Sequence, residues 1–331
     1  MTATPPTARP DALVAARAAA GEKRVCEKFF ESLIARARTL PPIRVGVVHP
    51  CDALSLEGAL AARDRGLIVP VLIGPRAKIE AAAHACGVSI AGIELVEAPH
   101  SHAAAEQAVS LAHRGKLQAL MKGALHTDEV MSAVVREGTG LRTERRISHV
   151  FVLDVPAYCK PLLVTDAAIN IQPCLDDKRD IVRNAVDLAH AIGVARPKVA
   201  ILSAVETVEA KIPSTIEAAA LCKMADRGQI AGADLDGPLA FDNAISPEAA
   251  AAKGIKSPVA CDADILVAPD LEAGNILAKQ LVFLGGADTA GLVLGARVPI
   301  VLTSRADDVE SRVASSALAQ LFAHRKREAG A

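Results

Sequence analysis

Short runs of aliphatic, often β-branched residues recur along the chain, each halting at a polar or glycine-bearing cluster before a helical spacing begins. Ile43–Val48, Ile68–Ile73, Leu117–Met121, Val150–Val155, Leu162–Thr165, Val199–Leu202, Ile265–Ala268, Gly291–Leu294 and Ile300–Thr303 read as buried strands. Helical spacing fills Asp11–Leu40, Ser55–Arg65 (ending at Gly66) and Ile276–Leu284, with Pro269–Asn275 read as a loop. Val309, Val313, Ala317 and Leu321 place one apolar stripe on a final helix. Strands alternating with helices predict an α/β fold with parallel sheets and right-handed crossovers.

Composition narrows this picture. A length of 331 residues predicts two domains. Hydrophobic residues make up 51%, yet no run approaches the ~20 apolar residues that span a bilayer. Aromatic residues are only 2%, so the core is aliphatic and stacking surfaces for single-stranded nucleic acid are missing. Lys and Arg total 37 against 38 Asp and Glu, which argues against nucleic acid or an anionic membrane as partner. Seven scattered cysteines without a Cys-x-x-Cys fit a reducing cytoplasm. Met1–Pro10 reads as a frayed tail rather than a signal peptide.

The polar clusters at strand ends carry the candidate chemistry, because unpaired helix amides collect there and favour anions. Ser304 sits where an N-cap belongs, Asp307 is placed as its capping-box partner, and Arg305 adds a fork-shaped cation suited to phosphate. Capping alone accounts for Ser304 and Asp307. Asp270, Glu272, Gly274 and Asn275 form a second cluster, with Gly274 as a turn and Asn275 as a cap in the plainer reading. Asp166 and Asn170 follow one strand; Lys122, Gly123, His126 and Thr127 follow another. A lone Lys at a strand end is ordinarily solvated, and Arg142, Arg145 and Arg146 are either a solvated face or a grip for a nucleotide phosphate. His100-Ser101-His102 reads as a helix start. Cys159, Cys174 and Cys261 read as small buried hydrophobes. Fingerprints for ATP, NAD, a serine acyl-enzyme or zinc are absent from the sequence.

Five motifs, in order, resemble the phosphate acetyltransferase and phosphate butyryltransferase family: Met-Lys-Gly-Ala-Leu-His-Thr (121–127), Thr-Asp-Ala-Ala-Ile-Asn (165–170), Asp-Gly-Pro-Leu-Ala-Phe-Asp-Asn-Ala (236–244), Pro-Asp-Leu-Glu-Ala-Gly-Asn (269–275) and Leu-Thr-Ser-Arg-Ala-Asp (302–307). The resemblance implies a two-domain, parallel-sheet α/β/α fold like that of isocitrate and isopropylmalate dehydrogenases. Residues 1–148 plus 299–331 would form one domain and 149–298 the other, with the site in the cleft between them. It implies exchange of an acetyl or butyryl group between coenzyme A and inorganic phosphate, with coenzyme A as a substrate, no cofactor and no metal. A homodimer built through the second domain is implied too. Ser304, Arg305 and Asp308 are the catalytic candidates; Lys122, Thr127, Arg142, Asp166, Asn170, Asp242, Asp270, Asn275 and Asp307 are the substrate-binding ones. Acetyl-specific members carry a base two turns into the final helix, where this chain has Ser311, so Asp308, Asp307 and Glu310 are the base candidates in that order. The Ser-Arg-Ala-Asp form resembles the butyryl branch. The alternatives are a binding-only partner of a hydratase and a decarboxylating dehydrogenase of the same fold.

Overall fold

The protein is described from a computed structural model that covers residues 29–303 and 308–330. After α1 (Phe29–Ala37) come β1 (Ile43–Val48), α2 (Ala53–Asp64), β2 (Ile68–Gly74), α3 (Arg76–Ala85), β3 (Glu94–Glu97), α4 (Ser101–His113), β4 (Ala119–Lys122) and α5 (Thr127–Val134). The middle of the chain gives β5 (Ser148–Asp154), β6 (Leu162–Thr165), α6 (Leu175–Ala191), β7 (Lys198–Leu202), α7 (Pro213–Asp226) and β8 (Asp234–Leu239). Then follow α8 (Phe241–Ile245), α9 (Pro247–Ala252), β9 (Ile265–Val267), α10 (Leu271–Phe283), β10 (Asp288–Leu294), β11 (Ile300–Val301) and α11 (Val309–Glu328).

Among the described residues the strands make one sheet of eleven, in the order β3-β2-β1-β4-β11-β10-β5-β6-β9-β7-β8. Most neighbours are parallel, as expected of an α/β chain. The exception lies in the middle: β10 runs antiparallel to both β11 and β5, and β5 antiparallel to β6. Gly291–Leu294 therefore belongs to the sheet but not to a parallel series. The carboxyl ends of β4 and β11 consequently point one way, and those of β6 and β9 the other.

The two faces of the sheet differ. One carries a continuous apolar cluster running from Val45 and Met121 through Val301, Leu292 and Val150 to Ile265. The final helix α11 lies across it, burying Val313, Ala317 and Leu321 and touching α1, α2, α6 and β10. The opposite face carries two separate clusters, one around Leu120, Val293 and Ile300 and one around Leu153, Val164 and Leu266. Between these two clusters run β10 and β5.

Several local readings change. The helix expected from Ile276 begins at Leu271, with Asp270 as its N-cap accepting from the Ala273 amide at 2.9 Å. Glu272, Gly274 and Asn275 therefore lie in its first turns and not in a loop. Glycine at 274 serves close approach: a Cβ there would sit 2.5 Å from the Asp166 carbonyl oxygen. His100 is the N-cap of α4, as the helix-start reading has it. The N-cap of α11 is Asp308, whose Oδ1 accepts from the Ser311 amide at 2.8 Å. Ser304, Arg305 and Asp307, including the capping box expected of them, lie outside the described residues.

Candidate functional site

A dense polar cluster is built around Asp166, at the carboxyl end of β6. Its carboxylate is buried and accepts from the amides of Ala168 at 3.0 Å, Ile169 at 3.2 Å and Asn170 at 3.0 Å. Asn170 Nδ2 at 2.5 Å and the His149 amide at 3.3 Å complete its set. Five donors occupy a group with about four lone-pair sites. The carboxylate is therefore committed to shaping the loop. From α10, Asn275 Nδ2 donates to the Ala167 carbonyl at 3.0 Å. One motif thus holds the other, and Asp166, Asn170, Gly274 and Asn275 form a single unit.

That unit presents Asn170 to an arginine. Arg146 Nε donates to Asn170 Oδ1 at 2.6 Å, while Asn170 Nδ2 also donates to the Ile147 carbonyl at 2.9 Å. The pair lines a cleft of about 490 Å³ together with Arg142, Met131, Ile169 and Asp177. The three arginines of this segment are placed differently. Arg145 pairs with Asp187, and Arg146 lies 3.5 Å from Asp177. Arg142 is exposed and makes no ion pair among the described residues, so its guanidinium is available to an anion.

Lys122 and Thr127 lie on the other side of this construction, at the end of β4 and the start of α5. Lys122 is buried rather than solvated, with Nζ 3.4 Å from the Gly123 carbonyl oxygen. Gly123 is required here, since a Cβ would meet the Val48 carbonyl at 2.5 Å and that of His49 at 2.8 Å. Asp242 is not brought to this group. It is exposed in α8, which packs on β7, and no described contact joins it to the Asp166 unit. Glu310, the third base candidate, is held by Arg65 through two hydrogen bonds of 2.7 and 2.5 Å. Cys159 and Cys174 are exposed and not buried, Cys174 beside α6 with its amide donating to Asp177 at 3.1 Å. No group of three or more His, Cys, Asp and Glu among the described residues is placed to hold a metal ion.

His149 escaped the sequence reading because the apolar run was taken to start at Val150. It lies inside β5, fully buried, between the two clusters of the divided face. Its ring meets Phe151 edge-on at 4.3 Å and occupies the space left by Gly291, where a Cβ would come within 2.8 Å of Nε2. Burial pushes its pKa down to about 4, against the opposing pull of Asp166 and the Leu302 backbone. An unfolded histidine titrates near ~6.5. Between these values the unfolded chain binds a proton that the folded chain does not. Stability should therefore fall on acidification from about pH 6.5 to pH 4, by at most ~1.4 kcal/mol per pH unit from this group. Urea unfolding at pH 7 and pH 5 checks this: His149→Phe should lose less stability than the wild type. Equal losses would contradict it.

An α/β sheet with an anion-accessible cleft at strand ends defines a class of small-anion or nucleotide-binding enzymes, and the relatives of the chain narrow it. The family model described as phosphate acetyl/butaryl transferase matches residues 102–320. A phosphate acetyltransferase from Rhizobium meliloti is 63% identical over 300 residues, covering 91% of this chain and 95% of that protein. A phosphate butyryltransferase from Clostridium acetobutylicum is 40% identical, covering 90% and 99%. Among solved structures, a branched-chain phosphotransacylase from Enterococcus faecalis superposes with a TM-score of 0.74 at 32% identity, covering 85% of this chain and 99% of that one. The chain belongs to the phosphate acetyl/butyryl transferase family, and it is an enzyme of that type, a phosphate acyltransferase. Neither a binding-only module nor a dehydrogenase is favoured. No helix among the described residues is long and apolar enough to cross a membrane.

Proposed function

We propose that this chain exchanges an acetyl group between coenzyme A and inorganic phosphate at the cleft lined by Met131, Arg142, Arg146, Ile169 and Asn170. The observation that carries this reading is the Asp166-ordered loop, which sets Asn170 and Arg146 on the cleft wall beside an uncommitted Arg142. Residues 1–148 with 299–331, and 149–298, are then the two domains, meeting where β11 pairs with β10. Coenzyme A offers phosphates to Arg142 and a thiol to the reacting centre. Ser304 and Arg305, which follow β11 in the sequence, take the phosphate. Lys122 and Thr127 line the same side, and Asp270 and Asn275 keep the Asp166 loop in place. Acetyl is favoured over butyryl because the 63% and 60% identical relatives are named phosphate acetyltransferases.

In the direction from acyl phosphate, the thiolate sulfur attacks the acyl carbonyl carbon, a C–S bond forms, and the C–O bond to phosphate breaks with its electron pair. A free thiol has a pKa of ~8.5, so near neutrality a base must take its proton. Asp308 is the carboxylate proposed for this, since Glu310 is engaged by Arg65 and Asp308 spends only Oδ1 on its cap. A positioned base contributes about 10²–10⁴-fold. Cations at the leaving phosphate and alignment of the reactants supply the rest.

A cytoplasmic homodimer is the proposed working form. The described cysteines are all free, and Ile276, Phe283 and Leu284 of the α10 region are exposed apolar residues within 149–298, as an interface through that domain would require. The functional test is a panel of acyl phosphates with coenzyme A, read as thioester absorbance. Acetyl phosphate should give the highest kcat/KM. A butyryl preference would overturn the choice of acyl group, and no thioester from any donor would overturn the reaction.

A further inference from the structure

Two stretches carry the chain between the proposed domains, 141–147 and 295–298, and they are bound to one another. Arg142 and Ala296 form an antiparallel bridge, Thr143 Oγ1 donates to the Gly295 carbonyl at 2.6 Å, and the Arg297 amide donates to that of Leu141 at 2.9 Å. Arg142 and Arg146 of the cleft stand on the first stretch, and its Thr143, Glu144 and Arg145 line both that cleft and a second cavity of about 370 Å³. Small-molecule pockets run from ~300 to 1,000 Å³. The other walls are α6, through Asn184 and Asp187, and the end of α11, through Phe322, Arg325 and Lys326. Asn184 Nδ2 donates to the Arg146 carbonyl at 2.9 Å, which ties α6 to the first stretch.

The proposed acyl transfer leaves this cavity unused, and its charges suit an anion. Arg145 is paired with Asp187, but Arg325 is exposed and makes no ion pair among the described residues. Lys326 is half-buried and directs two of its three donors to carbonyls of the second stretch, Ala296 at 3.4 Å and Arg297 at 3.1 Å. Burial, and then the nearby Arg145 charge, push its pKa down, against Asp187. Three cations thus line the cavity against two carboxylates, Asp187 and the exposed Glu144. A phosphate ester brings about two negative charges and three strong acceptor oxygens. Phe322 offers an apolar wall to its carbon part.

We propose that this cavity is an effector site for a small organic phosphate, held by Arg325 and Lys326, that raises coenzyme A affinity through the stretch shared with the cleft. Its occupant would join α6 to α11 and hold 143–145 in place, so that less ordering falls on coenzyme A when it binds beside Arg142 and Arg146. The coupling rests on the coenzyme A cleft proposed above; the site itself does not.

The test is titration calorimetry of the full chain with ribose 5-phosphate and with AMP, in phosphate-free buffer and at saturating coenzyme A so that the cleft is filled. At least one of the two should bind once per chain. Arg325→Ala and Lys326→Gln should each weaken that binding about tenfold or more, as loss of a charge-assisted contact does. Glutamine keeps a donor for the Ala296 and Arg297 carbonyls, so a folding fault is not expected. Arg142→Ala and Arg305→Ala, which alter the proposed substrate sites, should leave the binding unchanged. Titration of coenzyme A with the effector present should show an affinity higher by about fivefold or more. Binding of neither ester, or binding lost in Arg142→Ala or Arg305→Ala but kept in Arg325→Ala and Lys326→Gln, would overturn the site. Binding that leaves coenzyme A affinity unchanged would overturn the effector role. If coenzyme A itself does not bind while an ester still requires Arg325 and Lys326, the cleft reading falls and the site stands.

Discussion

Asp166→Ala should lower folding stability by about 3–5 kcal/mol, the size reached when several buried donors lose one charged acceptor. The estimate follows from its five donors: the amides of Ala168, Ile169, Asn170 and His149, and the Asn170 side chain, would all lose an acceptor. Orphaned buried donors each carry a penalty of about 1–3 kcal/mol, partly relieved when the loop relaxes toward water. Relaxation would also release Asn170 from Arg146, so activity should fall further than stability alone explains. Asp166→Asn keeps one acceptor oxygen and should fall between the two. Urea unfolding measures the change, and a loss under about 1 kcal/mol for the alanine variant would refute the structural role.

The second large effect is catalytic. Arg305→Ala should cost about 2–4 kcal/mol of transition-state stabilisation, the usual consequence of deleting one preorganised donor to a developing anion. The fold should be unaffected, as expected of a side chain that serves the substrate and not the core. Steady-state kinetics at limiting and saturating phosphate, with unfolding curves as control, separate the two. Unchanged turnover at both concentrations would remove Arg305 from the site.

Much of the fold is legible in the chain. Ile43–Val48 and Leu162–Thr165 are strands to the residue, since each is an aliphatic run closed by a polar break. What the pattern hides has physical reasons. β3 (Glu-Leu-Val-Glu) and β8 (Asp-Leu-Asp-Gly-Pro-Leu) are the two edge strands, part-exposed and charged, so they do not read as buried runs. The direction of β10 leaves no periodic trace, because burial on both faces looks alike for parallel and antiparallel neighbours. Gly274 and Asn275 resemble helix breakers but serve the close approach of α10 to the Asp166 loop. The candidate site shows the same division. The motif residues Asp166, Asn170 and Asn275 were visible, yet only the structure shows that Asp166 is filled by its own loop, that Glu310 belongs to Arg65, and that His149 lies beneath the seam.

The central claim is that this chain binds coenzyme A in the cleft walled by Arg142, Arg146 and Asn170 and phosphate on Ser304 and Arg305. A crystal structure of the protein with coenzyme A and phosphate tests it most directly. The account predicts coenzyme A phosphates against Arg142, the thiol directed toward the end of β11, and the phosphate ion within reach of Ser304 and Arg305. Coenzyme A bound on the α11 face of the sheet, or with its phosphates away from Arg142, would contradict it.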